Sequence, residues 1–539
     1  MQFNLIDEKW IPVIRRDGTR EMIAPWELTD QFKENAVVSL DAPRPDFNGA
    51  LIQFLIGLVQ TVAAPQNGTE WRKKLYEPPI PDELQEKFKT VHHAFELCGD
   101  GPKFMQDYDG LSVSKGSIDG ILIDTPGENT TKKNKDHFIK RDTVVSMCPS
   151  CTATALFAMQ TNAPAGGQGN RTGLRGGGPL TTIIAGDERH ESLWQLVWLN
   201  VLEQRVFSNI CGNASLTADA SKFPWMAPTL TSEKAECVCQ PNDFHTSIMF
   251  WAMPRRIRLS LENFTTGTCD TCGNLSNSLI SEYQQKNCGM NFTGAWLHPL
   301  SPYFLLSAGS VPMPVHPQQG EVTYRQWHCL VQNEKRNNRL PARVVYEFIH
   351  NRPLSGGQFR IWAFGYDMDN MKACCWYEST MPLIWVDNRF RAEYEDKIAG
   401  MLRAALEIAR NTRNALKKAW FSRPSDIRGD TTFIDSSLWQ DTESDFYFTL
   451  NNLKSEIETG HDTQHISLQW LSSLCKQSLK LFDKYAWEAP FENADPKRVV
   501  IARKDLEQYN HGKKIKEFLG IPVTQSKSGE KKKAKKEAG

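Results

Sequence analysis

The sequence predicts an α+β protein. A large mixed N-terminal domain with a structural zinc site spans residues 1–385, a C-terminal four-helix bundle spans 386–520, and a basic tail spans 521–539. Three observations predict this. Two Cys-x-x-Cys pairs, Cys148-Pro149-Ser150-Cys151 and Cys269-Asp270-Thr271-Cys272, lie more than a hundred residues apart and can supply the four thiolates of one tetrahedral zinc. Between residues 240 and 385, short strand-like runs alternate with Pro and Gly. Near residue 386 the apolar spacing changes to that of long helices with one buried stripe.

In chain order, Phe3 to Ile14 predicts a strand or the start of a hairpin. The apolar run Leu51 to Ala63 predicts a buried helix. Pro78, Pro79 and Pro81 break the chain before a helix over Asp82 to Leu97, and the polar stretch from Gly99 to Lys140 reads as loop. Thr152 to Gln160 predicts a short helix. The glycine-rich segment Gly166 to Gly178 follows, then a β-branched strand over Pro179 to Ile184 and an amphipathic helix over Ser192 to Val206. Arg256 to Leu259 and Phe359 to Phe364 predict strands. Glu393 to Phe421 places apolar residues at 398, 401, 402, 405, 408, 409, 416, 419 and 420, the period of a helix. Similar patterns over Ser436–Ile457, Gln464–Trp487 and Pro496–Leu519 complete the bundle. From Ser526 the Lys-rich tail is too polar to fold.

Composition narrows the function. The 63 basic and 63 acidic residues give a net charge of +0, which excludes a bulk polycation. Contact with nucleic acid must then use local patches, or an assembly whose other members carry the positive field. No run approaches the roughly 18–20 apolar residues of a membrane span, and the first residues lack a signal-peptide pattern. The expectation is a cytoplasmic protein without a membrane partner. Its thirteen cysteines are then thiols or metal ligands.

Each motif has a specific and a plain reading. The cysteine pairs are a four-thiolate zinc clip or ordinary buried thiols; the zinc would be structural, since four thiolates leave no position for water. The loop from Gly166 to Gly178 lets a backbone approach a ligand closely, with Arg171 and Arg175 beside it suited to phosphate, or it is a connector. It is neither a Walker A motif nor a dinucleotide fingerprint. His137-Phe138-Ile139-Lys140-Arg141 mixes cations with an aromatic ring, as nucleic-acid contacts do, and reads equally as a solvated loop. Arg403, Arg410 and Lys417 recur every seven residues with Arg413 nearby, forming a phosphate track or a plain solvated face. No G-x-S-x-G, H-E-x-x-H or two-metal acidic cluster occurs, so no enzyme activity is expected.

Several segments together resemble the large subunit of the type I-E CRISPR surveillance complex Cascade, the CasA family. They are Leu5 to Val13, Cys148 to Phe157, Ala163-Pro164 with the loop through Gly177, the second cysteine pair, and Gly294 to Pro299. The resemblance implies a non-catalytic subunit in antiviral defence that recognises the PAM in duplex DNA from the minor groove. It would start unwinding for guide-RNA pairing and R-loop formation, and recruit a helicase-nuclease. The implied partners are the other Cascade subunits, guide RNA within the complex, PAM-containing DNA and that nuclease. The family's glycine loop falls on Ala165 to Gly169, so Gly166, Gly167, Gln168 and Gly169 become DNA-binding candidates, with Gln168 where relatives carry a base-contacting glycine. Strict spacing puts the lysine finger on Asn287; a one-residue shift selects Lys286. The glutamine wedge falls on Tyr366 to Lys372, which holds no glutamine and leaves Asn370, Met371 or Lys372. The loop that seats the subunit and senses the PAM maps to Phe138 and Lys140. Two readings of other classes remain: a stand-alone metal-dependent nuclease, and a zinc-stabilised scaffold without DNA contact.

Overall fold

A computed structural model of the chain describes residues 2–133, 142–167, 169–307, 309–318, 322–331, 338–352, 354, 357–369, 372–424, 429–488 and 495–523. These residues fall into two compact units: 1–322 with 329–383, and 323–328 with 384 onward.

The first unit is α+β with several small sheets. Strand β1 (Phe3–Asn4) opens it, and β2 (Ile11–Arg15), β3 (Arg20–Ile23) and β4 (Val37–Leu40) form an antiparallel sheet with β2 central. Helix α1 (Pro45–Val62) follows, buried on nearly every side, as an apolar run without an amphipathic stripe requires. Its buried Gln60 is satisfied by the backbone of Leu202, donating at 3.0 Å and accepting at 2.7 Å. Phe54 of α1 is the hub of an aromatic cluster. Its ring centroid lies 5.2 Å from Trp10, 5.7 Å from Phe157 and Trp251, and 5.9 Å from Phe95 and Phe104, every pair edge-on.

Helices α2 (Gly68–Tyr76) and α3 (Pro81–Lys89) come next. The helix expected over Asp82–Leu97 ends at Lys89, because Glu96 to Cys98 forms β5 against β1. The Asn4 side chain secures that pairing by donating to His92 O at 3.0 Å and accepting from Ile6 N at 2.9 Å. The stretch expected as loop also holds β6 (Gly116–Ser117) and α4 (Glu128–Lys132).

Helix α5 (Pro149–Asn162) leads into the glycine-rich loop and strand β7 (Thr181–Ala185). The helix expected over Ser192–Val206 is two, α6 (Leu193–Leu199) and α7 (Gln204–Ser208). The break lies at Asn200, whose amide pairs with β7: it accepts from Ile184 N at 2.7 Å and donates to Ile184 O at 2.8 Å. Two single-turn helices follow, α8 (Asp219–Lys222) and α9 (Ile248–Trp251).

Strand β8 (Arg256–Leu259) precedes a hairpin of β9 (Thr265–Thr268) and β10 (Leu275–Leu279), and β11 (Glu282–Lys286) then pairs with both β8 and β6. A small sheet joins β12 (Tyr303–Phe304), β13 (Met313–Pro314) and β14 (Arg339–Leu340). Helices α10 (Tyr324–Val331) and α11 (Arg343–Asn351) lie around it in sequence. A long hairpin, β15 (Arg360–Asp369) and β16 (Lys372–Pro382), completes the unit, with β7 against the first five residues of β15.

The second unit is helical: α12 (Arg391–Trp420), α13 (Thr432–Thr459), α14 (Gln464–Glu488), α15 (Pro496–Asn510) and α16 (Lys513–Phe518). Every apolar position expected to be buried on α12 is buried except Trp420, which is half-buried. The helix expected over Pro496–Leu519 is interrupted at His511-Gly512. Buried hydroxyls link the helices: Thr412 and Ser478 at 2.8 Å, and Asn510 donating to Ser478 at 2.9 Å. An element absent from the sequence reading joins this unit. Tyr324 of α10 stacks on Phe446 at 4.3 Å and shares a 2.8 Å hydrogen bond with Thr442. Residues 521–523 are described, and 524–539 lie outside the described residues. Among the described residues, no helix is long and apolar enough to cross a membrane.

Because Phe54 touches five rings, Phe54→Ala should destabilise the protein by about 3–5 kcal/mol, measured by urea unfolding of purified protein, and Phe54→Leu by clearly less.

Candidate functional site

The four cysteines meet. Pro149 starts α5, its fixed φ suiting the first helical position, and Cys148 is the N-cap whose sulfur accepts from Cys151 N at 3.5 Å. The other pair sits in the β9–β10 turn, where Gly273 adopts φ +76 and donates to Cys269 O at 2.8 Å. Cys269 Sγ also accepts from Cys148 N at 3.3 Å. The four sulfurs lie within 4.8 Å of one another, with Cys148 and Cys272 3.8 Å apart. Zn–S bonds of about 2.3 Å imply S···S separations of about 3.8 Å in a tetrahedron. All four are free thiols, three buried and Cys272 half-buried, so the cluster could hold a metal ion. Hydrogen bonding from Cys148 lowers the Cys269 thiol below its ordinary value and Cys272 to about 7, while a bond to Cys148 pushes Cys151 up. Asp270 ties the turn to the other segment, accepting from Val145 N at 2.9 Å and Ser146 N at 2.8 Å. Met147 and Ile280 exchange two 2.9 Å backbone bonds.

From this vertex two elements run to the glycine loop. Helix α5, 14 residues and so about 21 Å long, ends at Asn162 just before it. Strand β11 ends at Lys286, and Cys288 N then donates to Gly169 O at 2.7 Å. The loop closes on itself through a bridge between Gly166 and Asn170. Gly169 has φ +81, and a Cβ there would lie 2.8 Å from Cys288 Sγ and 3.1 Å from Asn287 Cβ. Gly167 has φ +28, is exposed, and a Cβ there would meet nothing within 4 Å among the described residues beyond its chain neighbours. Lys286 is exposed, and among the described residues it makes no ion pair. Thus the structure brings Gly166, Gly167, Gly169 and Lys286 to one place.

The arginines of the loop do not face a ligand. Arg171 donates to Ser232 Oγ at 2.8 Å. Arg175 is 4% exposed and donates to Gln53 at 2.6 Å and to Thr181 and Ser301 at 3.1 Å; burial pulls its guanidinium down to about 10. The reading of Arg175 as suited to phosphate is corrected, since it is buried and braces the fold, whereas Arg171 is half-buried against Ser232. Arg255 was missed altogether. It is buried and donates to Asn170 Oδ1 and Pro164 O, clamping both ends of the loop. Nothing local in Met253-Pro254-Arg255 signals this, because its partners lie 85 and 91 residues away.

The β15–β16 hairpin passes the far end of the loop: a Cβ on Gly178 would lie 2.6 Å from Tyr366 O. Lys372 is exposed and pairs with Asp369 next to the hairpin tip. Asn370 and Met371 lie outside the described residues, as do Gln168, Phe138 and Lys140. In the helical unit, Arg413 bonds to Asp435, Arg410 lies 3.5 Å from Glu407, and Arg403 covers the Phe518 ring at 5.3 Å. Lys417 is half-exposed near Asp435. The stripe is therefore largely engaged within its own unit.

The family described as CRISPR-associated protein Cse1 matches residues 4–481 of the chain. The chain belongs to the Cse1 family. Solved Cse1 structures share its fold at low identity. Thermobifida fusca Cse1 is 14% identical with a TM-score of 0.69, over 97% of this chain and 99% of that one. Thermus thermophilus CasA (Cse1) is 15% identical with a TM-score of 0.66, over 95% and 99%. A chain of a CRISPR RNA-guided surveillance complex is 15% identical with a TM-score of 0.63, over 95% and 100%. The family resemblance read from sequence is thereby shown. For this Cse1 chain, the two loop glycines should separate in stability. Gly169→Ala, which meets Cys288, should cost about 2–4 kcal/mol in urea unfolding, and Gly167→Ala about 1 kcal/mol.

Proposed function

We propose that this chain is the non-catalytic large subunit of a type I-E surveillance complex, and that it reads the PAM in duplex DNA with its Gly166–Gly169 loop and Lys286. The observation that carries this reading is the pairing of open space beside Gly167 with an exposed cation on the adjoining strand. Among the described residues, no atom beyond the chain neighbours would lie within 4 Å of a Cβ on Gly167, which leaves room for a groove wall to approach that backbone, and the ammonium of Lys286 would serve a phosphate or base edge brought there. Lys372, beside the hairpin tip, is proposed as a wedge that enters a duplex held on the loop, with Asn370 and Met371 as the other candidates. Phe138 and Lys140 are proposed to seat the subunit on its neighbours and guide RNA. The helical unit, with Arg403 and Lys417, is proposed to track the displaced backbone, and the assembled face to recruit the helicase-nuclease.

The four cysteines are proposed to hold a structural zinc. Cys148, Cys151, Cys269 and Cys272 would be its ligands, and when bound it supplies a cross-link between two distant segments. The donor set suits this task rather than hydrolysis, and supports the binding reading over the nuclease reading.

In complex reconstituted with guide RNA, Lys286→Ala and Gly167→Leu should each weaken binding of PAM-containing duplex at least about tenfold while leaving assembly intact, measured by electrophoretic mobility shift. Lys286→Ala should also lower the salt dependence of log Kd by about one. Unchanged PAM discrimination in both variants would overturn the site. Metal analysis of freshly purified, reduced protein should find about one zinc per chain, lost together with thermal stability in Cys269→Ser.

A further inference from the structure

The buried arginines divide by what answers their charge. Arg15 lies beside Glu21 and Asp30, Arg256 beside Asp107, and Arg352 beside Glu203. Arg175 and Arg255, 4% and 6% exposed, have no carboxylate partner among the described residues. Buried charges are ordinarily paired, because an uncompensated one is costly. Both exceptions hold the glycine-rich segment. Arg175 directs its fork to Gln53, Thr181 and Ser301. Arg255 directs its own to the Gly166–Gly169 loop.

Arg255 reaches that loop from a fixed backbone. Its N–H donates to Gln160 Oε1 at 2.9 Å, and Gln160 Nε2 donates back to Arg255 O at 3.0 Å, which ties it to α5. The chain leaving β11 crosses the preceding peptide closely, since a Cβ on Gly289 would lie 2.0 Å from Pro254 O. One Nη then donates to Asn170 Oδ1 and the other to Pro164 O, on either side of Gly166 and Gly167 in the chain. Gln285 of β11 donates to the same Asn170 oxygen at 3.4 Å. The Nε of Arg255 is buried with no hydrogen-bond partner among the described residues. Its two acceptors are neutral, so the loop ends are held and the charge is not cancelled. Burial draws the guanidinium down to about 10, partly offset by the Tyr283 phenol, and at neutral pH it keeps its proton. A charge in a low-dielectric interior is felt more strongly than one in water. Between the two tethers, Ala165 and Gly167 are exposed.

We propose that Arg255 is a positioning residue for phosphodiester binding at the glycine loop: without touching the DNA, it fixes both ends of the loop and supplies a positive charge that the arriving phosphate answers. The proposal rests on the reading of this loop as the DNA-contacting segment. A role confined to packing needs no charge, and a neutral side chain would fill it with less desolvation. The missing counter-charge is the observation that points to an anion.

The test uses complex reconstituted with guide RNA, purified at full subunit stoichiometry, and PAM-containing duplex in mobility shifts. Arg255→Gln keeps an amide donor and removes the charge; it should weaken binding by about tenfold or more and quicken hydrogen exchange at residues 164–170. Arg255→Lys keeps the charge on a single prong and should return affinity to within about threefold of wild type. Lys286→Ala is measured beside them. With Lys286→Ala still weakening binding, the inference is overturned by wild-type affinity in Arg255→Gln, by unchanged loop exchange in that variant, or by Arg255→Lys binding as weakly as Arg255→Gln. Unchanged binding in Lys286→Ala and both Arg255 variants would overturn the loop reading itself, and the inference with it.

Discussion

The rest of the candidate site depends on one constraint: residues 148–151 and 269–272 must meet. Helix α5 and strand β11 both leave from that meeting point, and both arrive at the glycine loop. A helix and a strand sharing one fixed end form a rigid angle, so the positions of Gly169 and Lys286 follow from the cysteine geometry. The cysteines act at the far end of α5, about 20 Å from the loop they orient. A metal ion held by the cysteines would therefore fix the loop's position from a distance. Met147–Ile280 pairing and the Asp270 cap support the same vertex from the polypeptide side.

Buried guanidinium groups supply the second layer of control. Arg175 and Arg255 each hold irregular backbone or side-chain oxygens that no ladder satisfies. Arginine suits this because its planar fork reaches several acceptors at once and keeps its proton when buried. Five arginines are buried among the described residues, Arg15, Arg175, Arg255, Arg256 and Arg352, while most of the other basic residues, Lys286 included, stay at or near the surface. Counting arginines near a glycine loop overstates its affinity for phosphate, as Arg171 and Arg175 illustrate.

Much of the architecture was legible wherever local pattern and tertiary pairing agree. The apolar period of α12, the buried run of α1 and the β-branched run of β7 each survive folding. The cysteine spacing likewise located the cluster and the loop that follows its first pair, whereas β11 was not read as a strand and Lys286 was reached only through the family resemblance. What was not legible arises from long-range partners. Residues 96–98 look helical until β1 claims them, and Asn200 ends a helix because Ile184 is waiting. The insertion of Tyr324 into the helical unit depends on Thr442 and Phe446, more than a hundred residues later. Arg255 was invisible for the same reason, since a buried cation is defined by its acceptors and not by its neighbours in sequence.

The long β15–β16 hairpin has a mechanical consequence. Its first five residue pairs lie in a three-stranded sheet, and from Gly365 onward it is a two-stranded ribbon with a register shift between Asp367 and Met368. Ribbons of two strands twist more than sheets, and a bulge adds both twist and bend. The stem is thus stiff, Tyr366 extends that anchorage by donating to Asp46 of α1 at 2.7 Å, and the added twist and bend fall beyond this tie. Small sequence changes near the irregularity would redirect the strand ends at Asp369 and Lys372 while leaving the anchored strands at rest. The direction of that arm is consequently an adjustable property, separable from the stability of the sheet that carries it.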